Sequence, residues 1–246
     1  MILVITGTGT GVGKTIVTAA LAALARDQGA RVAVVKPAQT GLGSTASTAS
    51  TASTASTEES DLEVVRRLSG VTDLHELARY PDPLSPEAAA RTSGLPPLDL
   101  EVAAAYIRKL AADLVLVEGA GGLLVRYDPS GWTIADLAAA LGAPVVVVTT
   151  PGLGTLNHTA LTLEALAARG LTLAGLVIGS WPADPGLAEL SNLIDLPPLG
   201  GPALPGRMPA DAGQLDCHGF LGAAQLAMIN VNYLNNHDLS PADTRA

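Results

Sequence analysis

The sequence is poor in cysteine, aromatic residues and lysine, and each shortage restricts what the protein can be. Its single cysteine, Cys217, cannot form an intrachain disulfide. Aromatic residues make up 3% of the 246 residues, so the core must be built from aliphatic side chains and alanine, which the 48% hydrophobic content supplies. Only three lysines occur, Lys14, Lys36 and Lys109. Because lysine, unlike arginine, can lose its proton, this scarcity draws attention to each of them.

Positive charge is scarce as well. The formal net charge is −9, which argues against sequence-independent binding to nucleic acid, because such binding needs a basic surface. No uncharged apolar run reaches the roughly 18 residues of a membrane span, and the N-terminus has no basic region of a secretory signal. We therefore expect a soluble, cytoplasmic protein with neither a nucleic-acid partner nor a membrane partner.

Short apolar, β-branched runs alternate with stretches of helical periodicity. The predicted strands are residues 2–6, 32–36, 114–118, 145–149 and 173–178, and the predicted helices are residues 16–28, 61–69, 101–112, 134–141 and 157–169. Continuously apolar strands that alternate with helices predict an α/β fold, here a single-domain, doubly wound, mostly parallel sheet with helices on both faces. Ligands bind such sheets beyond the carboxyl ends of the strands.

The length fits one domain, which we place at residues 1–225. Residues 44–57 repeat Ser, Thr and Ala and contain no core-forming residue, so they are predicted to be a disordered insert. Two interpretations of the insert stay open: a neutral expansion of a loop, which we favour, and a mobile lid over the site. Residues 226–246 lose their periodicity and are predicted to form a loosely ordered tail.

The most informative motif is Gly-Thr-Gly-Thr-Gly-Val-Gly-Lys-Thr at residues 7–15, directly after the first predicted strand. A strand that enters a glycine-rich turn ending in Gly-Lys-Thr predicts a triphosphate-binding loop, whose backbone N–H groups converge on phosphate oxygens. In that motif Lys14 reaches the β/γ-phosphates and the Thr15 hydroxyl binds Mg²⁺. The spacing departs from the usual pattern, since Thr8 stands where the first glycine is expected. A flexible turn with a surface lysine is the alternative, and the apolar helix predicted next disfavours it.

Three further residues stand at the ends of predicted elements. Glu118 ends an apolar strand and precedes Gly-Ala-Gly-Gly at residues 119–122, which beside a phosphate loop predicts a second metal-binding element. Lys36 ends another strand, where it can neutralise charge on a transferred phosphoryl group or on an anionic acceptor. Asp61 opens a predicted helix, and the sequence leaves open whether it caps the helix or binds the metal.

One more loop, residues 152–157, joins a predicted strand to a predicted helix. Exposed N–H groups at the start of that helix are suited to binding a carboxylate. His158 follows within the helix. We interpret it as a structural hydrogen-bonding residue rather than as a general base.

Together these segments resemble the dethiobiotin synthetases, phosphate-loop enzymes of biotin biosynthesis. The resemblance rests on the variant loop with Thr8, on Lys36-Pro37 followed by Gln-Thr-Gly, and on the segments at residues 117–122 and 154–158, in order along about residues 1–215. It implies that 7,8-diaminopelargonate, CO₂ and ATP give dethiobiotin, ADP and phosphate. In that reaction an amine captures CO₂ as a carbamate, phosphorylation gives a mixed anhydride, and the second amine closes a cyclic urea.

The resemblance also implies roles for individual residues. Lys36 and Lys14 are the catalytic residues, and Lys36 contacts both the carbamate and the γ-phosphate. The side chains of Thr15, Asp61 and Glu118 hold Mg²⁺. The nucleotide, which is ATP or another nucleoside triphosphate, contacts a larger set: Gly11, Val12, Gly13, Lys14, Thr15, Ile16, Asp61, Glu118, Gly119, Ala120, Gly121, Gly179, Ser180, Ala203, Leu204 and Pro205.

For the diamine, the resemblance implies contacts from two subunits. Thr40 touches the diamine, and a loop of the partner subunit holds its carboxylate; the loop residues are Leu153, Gly154, Thr155, Leu156 and Asn157. This implies a homodimer with its sites at the interface. In one respect the sequence departs from the family: residues 177–182 read Val-Ile-Gly-Ser-Trp-Pro and contain no Asn to read the adenine edge. The base preference therefore stays open.

Other classes of protein fit parts of the pattern. A partitioning-type ATPase, which is a nucleotide-driven dimer switch, carries a signature lysine early in its phosphate loop, where this chain has Thr8, Gly9 and Thr10. An amidating ligase of the cobyrinate-synthase kind carries a glutaminase domain, for which this chain has no room. A non-catalytic nucleotide-binding module is disfavoured by Lys36. The sequence thus favours an ATP-dependent synthetase, with the partitioning-type switch as the alternative.

Overall fold

The computed structural model describes residues 1–42, 59–200 and 206–228. The predicted insert at residues 44–57, the residues Ala203, Leu204 and Pro205, and all but the start of the predicted tail lie outside these ranges. The predicted domain limits and the predicted tail therefore stay predictions.

A parallel sheet forms the centre of the described structure. The strands, numbered along the chain, are β1 (Ile2–Gly7), β2 (Val32–Lys36), β3 (Gln39–Thr40), β4 (Asp73–Glu76), β5 (Arg79–Tyr80), β6 (Leu114–Glu118), β7 (Val145–Thr149), β8 (Leu173–Trp181) and β9 (Gly206–Pro209). Seven of them lie in the order β4-β2-β6-β1-β7-β8-β9, and every neighbouring pair is parallel. The other two, β3 and β5, form a separate parallel pair.

Helices cover both faces of this sheet. They are α1 (Lys14–Asp27), α2 (Asp61–Ser69), α3 (Pro86–Ser93), α4 (Leu100–Arg108), α5 (Ile134–Leu141), α6 (Thr155–Ala167), α7 (Leu187–Asp195), α8 (Pro197–Gly200) and α9 (Cys217–Ala227). One core lies between the sheet and α1, α2 and α9, and the other lies beneath α3, α4, α5 and α6. The predicted α/β class with helices on both faces is confirmed.

Burial on both faces explains why the central strands could be predicted from the sequence. Along β1, Leu3 and Ile5 face the α1 side while Val4 faces the α5 side, and all three are at most 1% exposed. A strand buried on both faces has no polar side, so its sequence is a continuous apolar run. Three predicted strands, 32–36, 114–118 and 145–149, coincide with β2, β6 and β7.

The two edges of the sheet were not predicted. The sequence of β4 is Asp-Leu-His-Glu and that of β9 is Gly-Arg-Met-Pro, and neither is an apolar run. Among the described residues each pairs with a strand on one side only, so part of its surface stays accessible and polar residues are tolerated. In the part of the chain that the structure describes, no helix is long and apolar enough to cross a membrane.

Candidate active site

The phosphate loop connects β1 to α1 and is held in shape by glycines. Gly11 and Gly13 have φ angles of 72° and 94°, a region that side chains with a Cβ rarely adopt. Gly13 is also the N-cap of α1. A Cβ on Gly13 would collide with the carbonyl oxygen of Gly179 in β8, and a Cβ on Gly179 would collide with the carbonyl oxygen of Val12. The loop therefore packs directly on the backbone of β8.

Lys14 lies folded over its own loop. Its Nζ donates to the carbonyl oxygen of Gly9 over 2.9 Å, and the residue is 7% exposed. Burial, assisted by the neighbouring Lys36 ammonium, lowers the pKa of Lys14 from 10.5 to about 8. A single neutral carbonyl is a weak partner for an ammonium group, so Lys14 is well placed to accept an anionic one.

The side chains of Thr15, Asp61 and Glu118 meet at the carboxyl ends of β2 and β6. The Thr15 hydroxyl oxygen lies 3.1 Å from Oδ1 of Asp61 and 2.9 Å from Oε1 of Glu118. One hydroxyl proton cannot serve both carboxylates, so this cluster is short of positive charge. The atoms of this cluster that could bind a metal are all oxygens. One or two carboxylates with a hydroxyl suit Mg²⁺ better than softer metals.

Asp61 is not the cap of its helix. The N-cap of α2 is Ser60, whose hydroxyl accepts from the backbone N–H of Glu63 over 3.3 Å, while the Glu63 carboxylate accepts from the Ser60 N–H over 2.7 Å. This capping box leaves the carboxylate of Asp61, in the first turn, directed at Thr15 and Lys36. Of the two alternatives that the sequence left open, the geometry favours a role at the cluster.

Lys36 supplies one positive charge to this cluster of two carboxylates. Its Nζ lies 2.5 Å from Oδ2 of Asp61, 2.8 Å from Oε1 of Glu118 and 3.3 Å from the carbonyl oxygen of Gly119. The residue is 3% exposed. Burial alone would lower its pKa, but the carboxylates of Glu118 and Asp61 outweigh burial and raise the pKa of Lys36 above its ordinary value. The pKa of Asp61 is lowered: burial opposes this, and the Lys36 ammonium outweighs burial. Lys36 is therefore a buried lysine paired with two carboxylates, not a solvated one.

These groups line one cleft of about 390 Å³. Its lining comes from the phosphate loop, the ends of β2 and β6, and the segments after them: Thr10, Gly11, Gly13, Lys14, Thr15, Lys36, Ala38, Gln39, Thr40, Asp61, Glu118, Ala120 and Gly121. Most of the predicted site residues of the first 121 positions, Thr40 included, thus meet at one place. Some described residues with predicted nucleotide contacts lie outside this lining: Val12, Ile16, Gly119, Gly179 and Ser180.

The loop at residues 153–157 also lies outside the lining of this cleft. The N-cap of α6 is Gly154, with a φ angle of 93° and no side-chain cap. Leu153 beside it is 95% exposed, whereas Thr155 is fully buried. His158, one turn further along α6, is exposed, so its side chain is not drawn into the cleft.

The structure also adds residues that the sequence did not reveal. Gln39 accepts from the backbone N–H of Asp61 over 3.3 Å, and the Tyr127 hydroxyl accepts from the backbone N–H of Ala120 over 2.8 Å. Both side chains bind the backbone of segments that line the cleft. Gln39 and Asp61 are 22 positions apart, and no motif marks Tyr127. The rarity of tyrosine, of which the chain has four, was the one usable signal for Tyr127.

A second missed group is a chain of threonine hydroxyls that holds the start of α6. The Thr155 hydroxyl donates to the carbonyl of Thr150 over 2.6 Å, so it must accept from Thr149, 2.7 Å away. Thr149 in turn lies 2.8 Å from the hydroxyl of Thr159. With its side chain committed inside the protein, Thr155 presents only backbone at the surface of this loop.

A strand, a glycine-rich loop, a helix that begins Lys-Thr and a carboxylate at the end of the adjacent strand define a P-loop nucleoside-triphosphate-dependent protein. A family model described as an AAA domain matches residues 2–206. Over 229 residues the chain is 58% identical to the ATP-dependent dethiobiotin synthetase of Parafrankia sp. (strain EAN1pec), covering 92% of this chain and 91% of that protein. Identity to the ATP-dependent dethiobiotin synthetase of Frankia casuarinae is 60% over 228 residues, with the same coverage.

The chain belongs to the dethiobiotin synthetase family. The predicted family and the predicted ATP-dependent synthetase are thereby confirmed. Among solved structures, the septum site-determining protein MinD of Pyrococcus horikoshii OT3, complexed with Mg-ADP, matches with a TM-score of 0.56 and 17% identity, over 96% of this chain and 95% of that one. Identity this low shows a shared fold alone, so the partitioning-type alternative gains no support from it.

Proposed function

We propose that the cleft closes 7,8-diaminopelargonate and CO₂ to dethiobiotin at the expense of ATP, with Lys36 at the centre of the chemistry. One observation carries these assignments: a buried ammonium lies between two carboxylates that share the hydroxyl of the phosphate-loop threonine. It supports the proposal that the Lys36 ammonium acts as a fixed positive charge beside the γ-phosphate that the phosphate loop would bind.

The reaction needs no nucleophile from the protein. One amine of the substrate attacks CO₂ and loses a proton, which gives a carbamate. A carbamate oxygen then attacks the γ-phosphorus of ATP and ADP leaves. The second amine attacks the carbonyl carbon of this mixed anhydride, phosphate leaves, and the five-membered urea is closed. Catalysis consists of positioning these groups and stabilising their negative charge.

Lys36 is assigned to the carbamate and the transferred phosphoryl group. Its raised pKa keeps the ammonium charged, and its burial means that the charge acts through little intervening water. The carbonyl of Gly119 and the carboxylates of Asp61 and Glu118 fix its direction. Such a preorganised charge stabilises the negative charge that develops on the carbamate and on the transferred phosphoryl group in the transition state, which is the condition for catalysis.

The phosphates of ATP are assigned to the loop backbone and to Lys14, which exchanges the carbonyl of Gly9 for a phosphate oxygen. We assign Mg²⁺ to the oxygens of Thr15, Asp61 and Glu118. Mg²⁺ supplies neutralisation of the β- and γ-phosphate charge when it is bound. Two carboxylates and a hydroxyl fit this role, since Mg²⁺ usually takes its remaining ligands from phosphate and water. Within the described residues no cluster of three His, Cys, Asp or Glu side chains offers an all-protein cage for a softer metal.

The nucleoside of ATP is assigned to the surface where the phosphate loop meets β8. Gly179 contacts the loop directly and Ser180 follows it, half-buried. The expected contacts of Ala203, Leu204 and Pro205 fall outside the described residues. No Asn is present in β8 to read the adenine edge, so we propose that the triphosphate supplies most of the affinity and that other nucleoside triphosphates serve as well.

We further propose a homodimer in which the loop at residues 153–157 of one subunit completes the cleft of the other. Two observations support this. The loop does not line the cleft of its own chain, and the face that carries it is apolar: Leu187 is 87% exposed, Ile194 76% and Leu161 56%. Exposed leucine and isoleucine side chains on adjacent helices are typical of a surface that another protein covers. The partner's loop would then meet the carboxylate of the diamine with the uncapped N–H groups of α6. As the compartment we propose the cytoplasm, where ATP is supplied.

Light scattering on active protein is expected to give a mass near twice the 24.8 kDa of the chain. A variant with both Leu187→Asp and Ile194→Asp is expected to be monomeric and to lose diamine-dependent turnover, because charge replaces apolar side chains at the interface. Leu226→Asp is the matched control, since Leu226 is 77% exposed but lies on α9, which covers the opposite face of the sheet. A monomer with full turnover would contradict the shared site.

Release of inorganic phosphate tests the reaction itself. With ATP, Mg²⁺ and bicarbonate, release is expected to require 7,8-diaminopelargonate and to stop when Mg²⁺ is removed by a chelator. Dethiobiotin should appear in equal amount. Replacing ATP by CTP or GTP is expected to preserve turnover. Phosphate release that is indifferent to the diamine would refute the proposed reaction and return the partitioning-type switch to first place.

A further inference from the structure

The loop at residues 119–122 lines the cleft but has almost no side chains with which to hold its own shape. Its sequence is Gly-Ala-Gly-Gly, and Ala120 and Gly121 contribute to the cleft wall. Chains so rich in glycine sample many backbone conformations unless other groups restrain them. The shape of this loop therefore depends on the hydrogen bonds that its peptide groups make with other parts of the protein.

Two hydrogen bonds restrain the first residue of the loop, and one restrains the second. The N–H of Gly119 donates to the carbonyl of Ile5 over 2.9 Å, and the carbonyl of Gly119 accepts from Lys36 over 3.3 Å. The N–H of Ala120 donates to the hydroxyl of Tyr127 over 2.8 Å. The bond from Ala120 is the one of these that depends on a side chain with no other assignment.

Tyr127 is itself held rigidly. It is fully buried and stacks on the indole of Trp132, with ring centroids 4.3 Å apart and an interplanar angle of 19°. The indole N–H of Trp132 donates to the carbonyl of Leu98 over 2.9 Å, and the backbone N–H of Tyr127 donates to the carbonyl of Trp132 over the same distance. The stacking contact and the backbone hydrogen bond together fix the position of the Tyr127 ring, and therefore of its hydroxyl.

We propose that Tyr127 is a positioning residue for the reaction, which fixes the 119–122 loop through Ala120 and thereby aims the Lys36 ammonium through the Gly119 carbonyl. This inference rests on the role proposed for Lys36. Gly119 and Ala120 share a peptide group, so a rotation that frees the N–H of Ala120 also turns the carbonyl that Lys36 donates to. Small misplacements of a catalytic charge are costly, because a shift of about 1 Å can reduce a rate by about 10²-fold.

Tyr127→Phe tests the proposal, with Tyr80→Phe as the matched control. Phenylalanine keeps the ring and its stacking and removes only the hydroxyl. Tyr80 is equally buried, and its hydroxyl donates to the carbonyl of Pro96 over 3.1 Å, outside the cleft lining. Tyr127→Phe is expected to reduce kcat by roughly tenfold or more while the KM for ATP stays within about threefold. Tyr80→Phe is expected to change neither, although both variants should lose a similar, small amount of thermal stability.

Hydrogen exchange gives a readout that does not depend on turnover. A peptide covering residues 119–122 is expected to exchange faster in Tyr127→Phe than in wild type, and at the wild-type rate in Tyr80→Phe. Unchanged exchange, or a kcat equal to that of the control, would overturn the positioning role. Wild-type protein that releases no diamine-dependent phosphate would instead overturn the proposed reaction, and the exchange experiment would still decide whether Tyr127 fixes the loop.

Discussion

Replacement of Lys36 by alanine is expected to reduce diamine-dependent turnover by more than about 10²-fold while ATP affinity stays within about tenfold of wild type. Lys14 and the loop backbone, which are assigned to the phosphates of ATP, are retained in this variant, so ground-state binding of the nucleotide is expected to change little. The charge of Lys36 is needed when the carbamate and the γ-phosphoryl group, both anionic, approach each other. The other lysine of the cleft cannot replace it, because the Lys14 ammonium lies over the carbonyl oxygen of Gly9 and is assigned to the phosphates of ATP.

The measurement pairs single-turnover phosphate release with calorimetric titration of ATP. Lys109→Ala is the control, since Lys109 is the third lysine of the chain and is exposed at the end of α4. Removing one partner of a buried ion pair costs about 3–5 kcal/mol, so Lys36→Ala must be assayed where thermal melts with Mg-ATP show it folded. If folded Lys36→Ala turns over normally, Lys36 has no catalytic role. If it loses ATP affinity as steeply as turnover, Lys36 acts in nucleotide binding instead.

The central strands of the sheet were predictable because each of them carries its own signal in the sequence. Strands β2, β6 and β7 are buried on both faces, and burial on both faces produces an unbroken apolar run. The position of Lys36 and Glu118 at the ends of two such runs then placed both at the same edge of the sheet. That they meet within 2.8 Å follows from β2 and β6 being neighbours, with Val35 opposite Val117.

What the sequence did not reveal depends on contacts between segments. The edge strands β4 and β9 carry polar residues, so their strand character comes from the neighbour that they pair with. Asp61 was ambiguous because a carboxylate at a helix start serves equally well as a cap. In the structure Ser60 is the N-cap and forms the capping box with Glu63, so the Asp61 carboxylate is available to contact Thr15 and Lys36. Tyr127 belongs to no motif, and its importance appears only once its hydroxyl is seen on Ala120.

Gly179 is the second position at which a single substitution should have a large effect. Gly179→Ala is expected to reduce ATP affinity by at least about tenfold and to lower Tm by several degrees. The added Cβ would lie 2.7 Å from Cγ1 of Val148 and 2.9 Å from Cα of Gly13, and it would collide with the carbonyl oxygen of Val12. The φ angle of Gly179 is not positive, so the cost is collision and not backbone strain. Overpacking of this kind costs about 1–3 kcal/mol.

We expect the phosphate loop to move in order to relieve this collision. The affinity for ATP should therefore fall together with the stability of the fold. The backbone of β8 is hydrogen-bonded to β7 on one side and to β9 on the other, whereas the phosphate loop is not part of the sheet. Gly222→Ala is the control: its Cβ would meet nothing within 4 Å, and in α9 alanine is favoured over glycine by about 0.5–1 kcal/mol, so Tm should stay or rise. Wild-type ATP affinity in Gly179→Ala would contradict the argument, because it would mean that the loop can retreat from β8 without losing the geometry that binds phosphate.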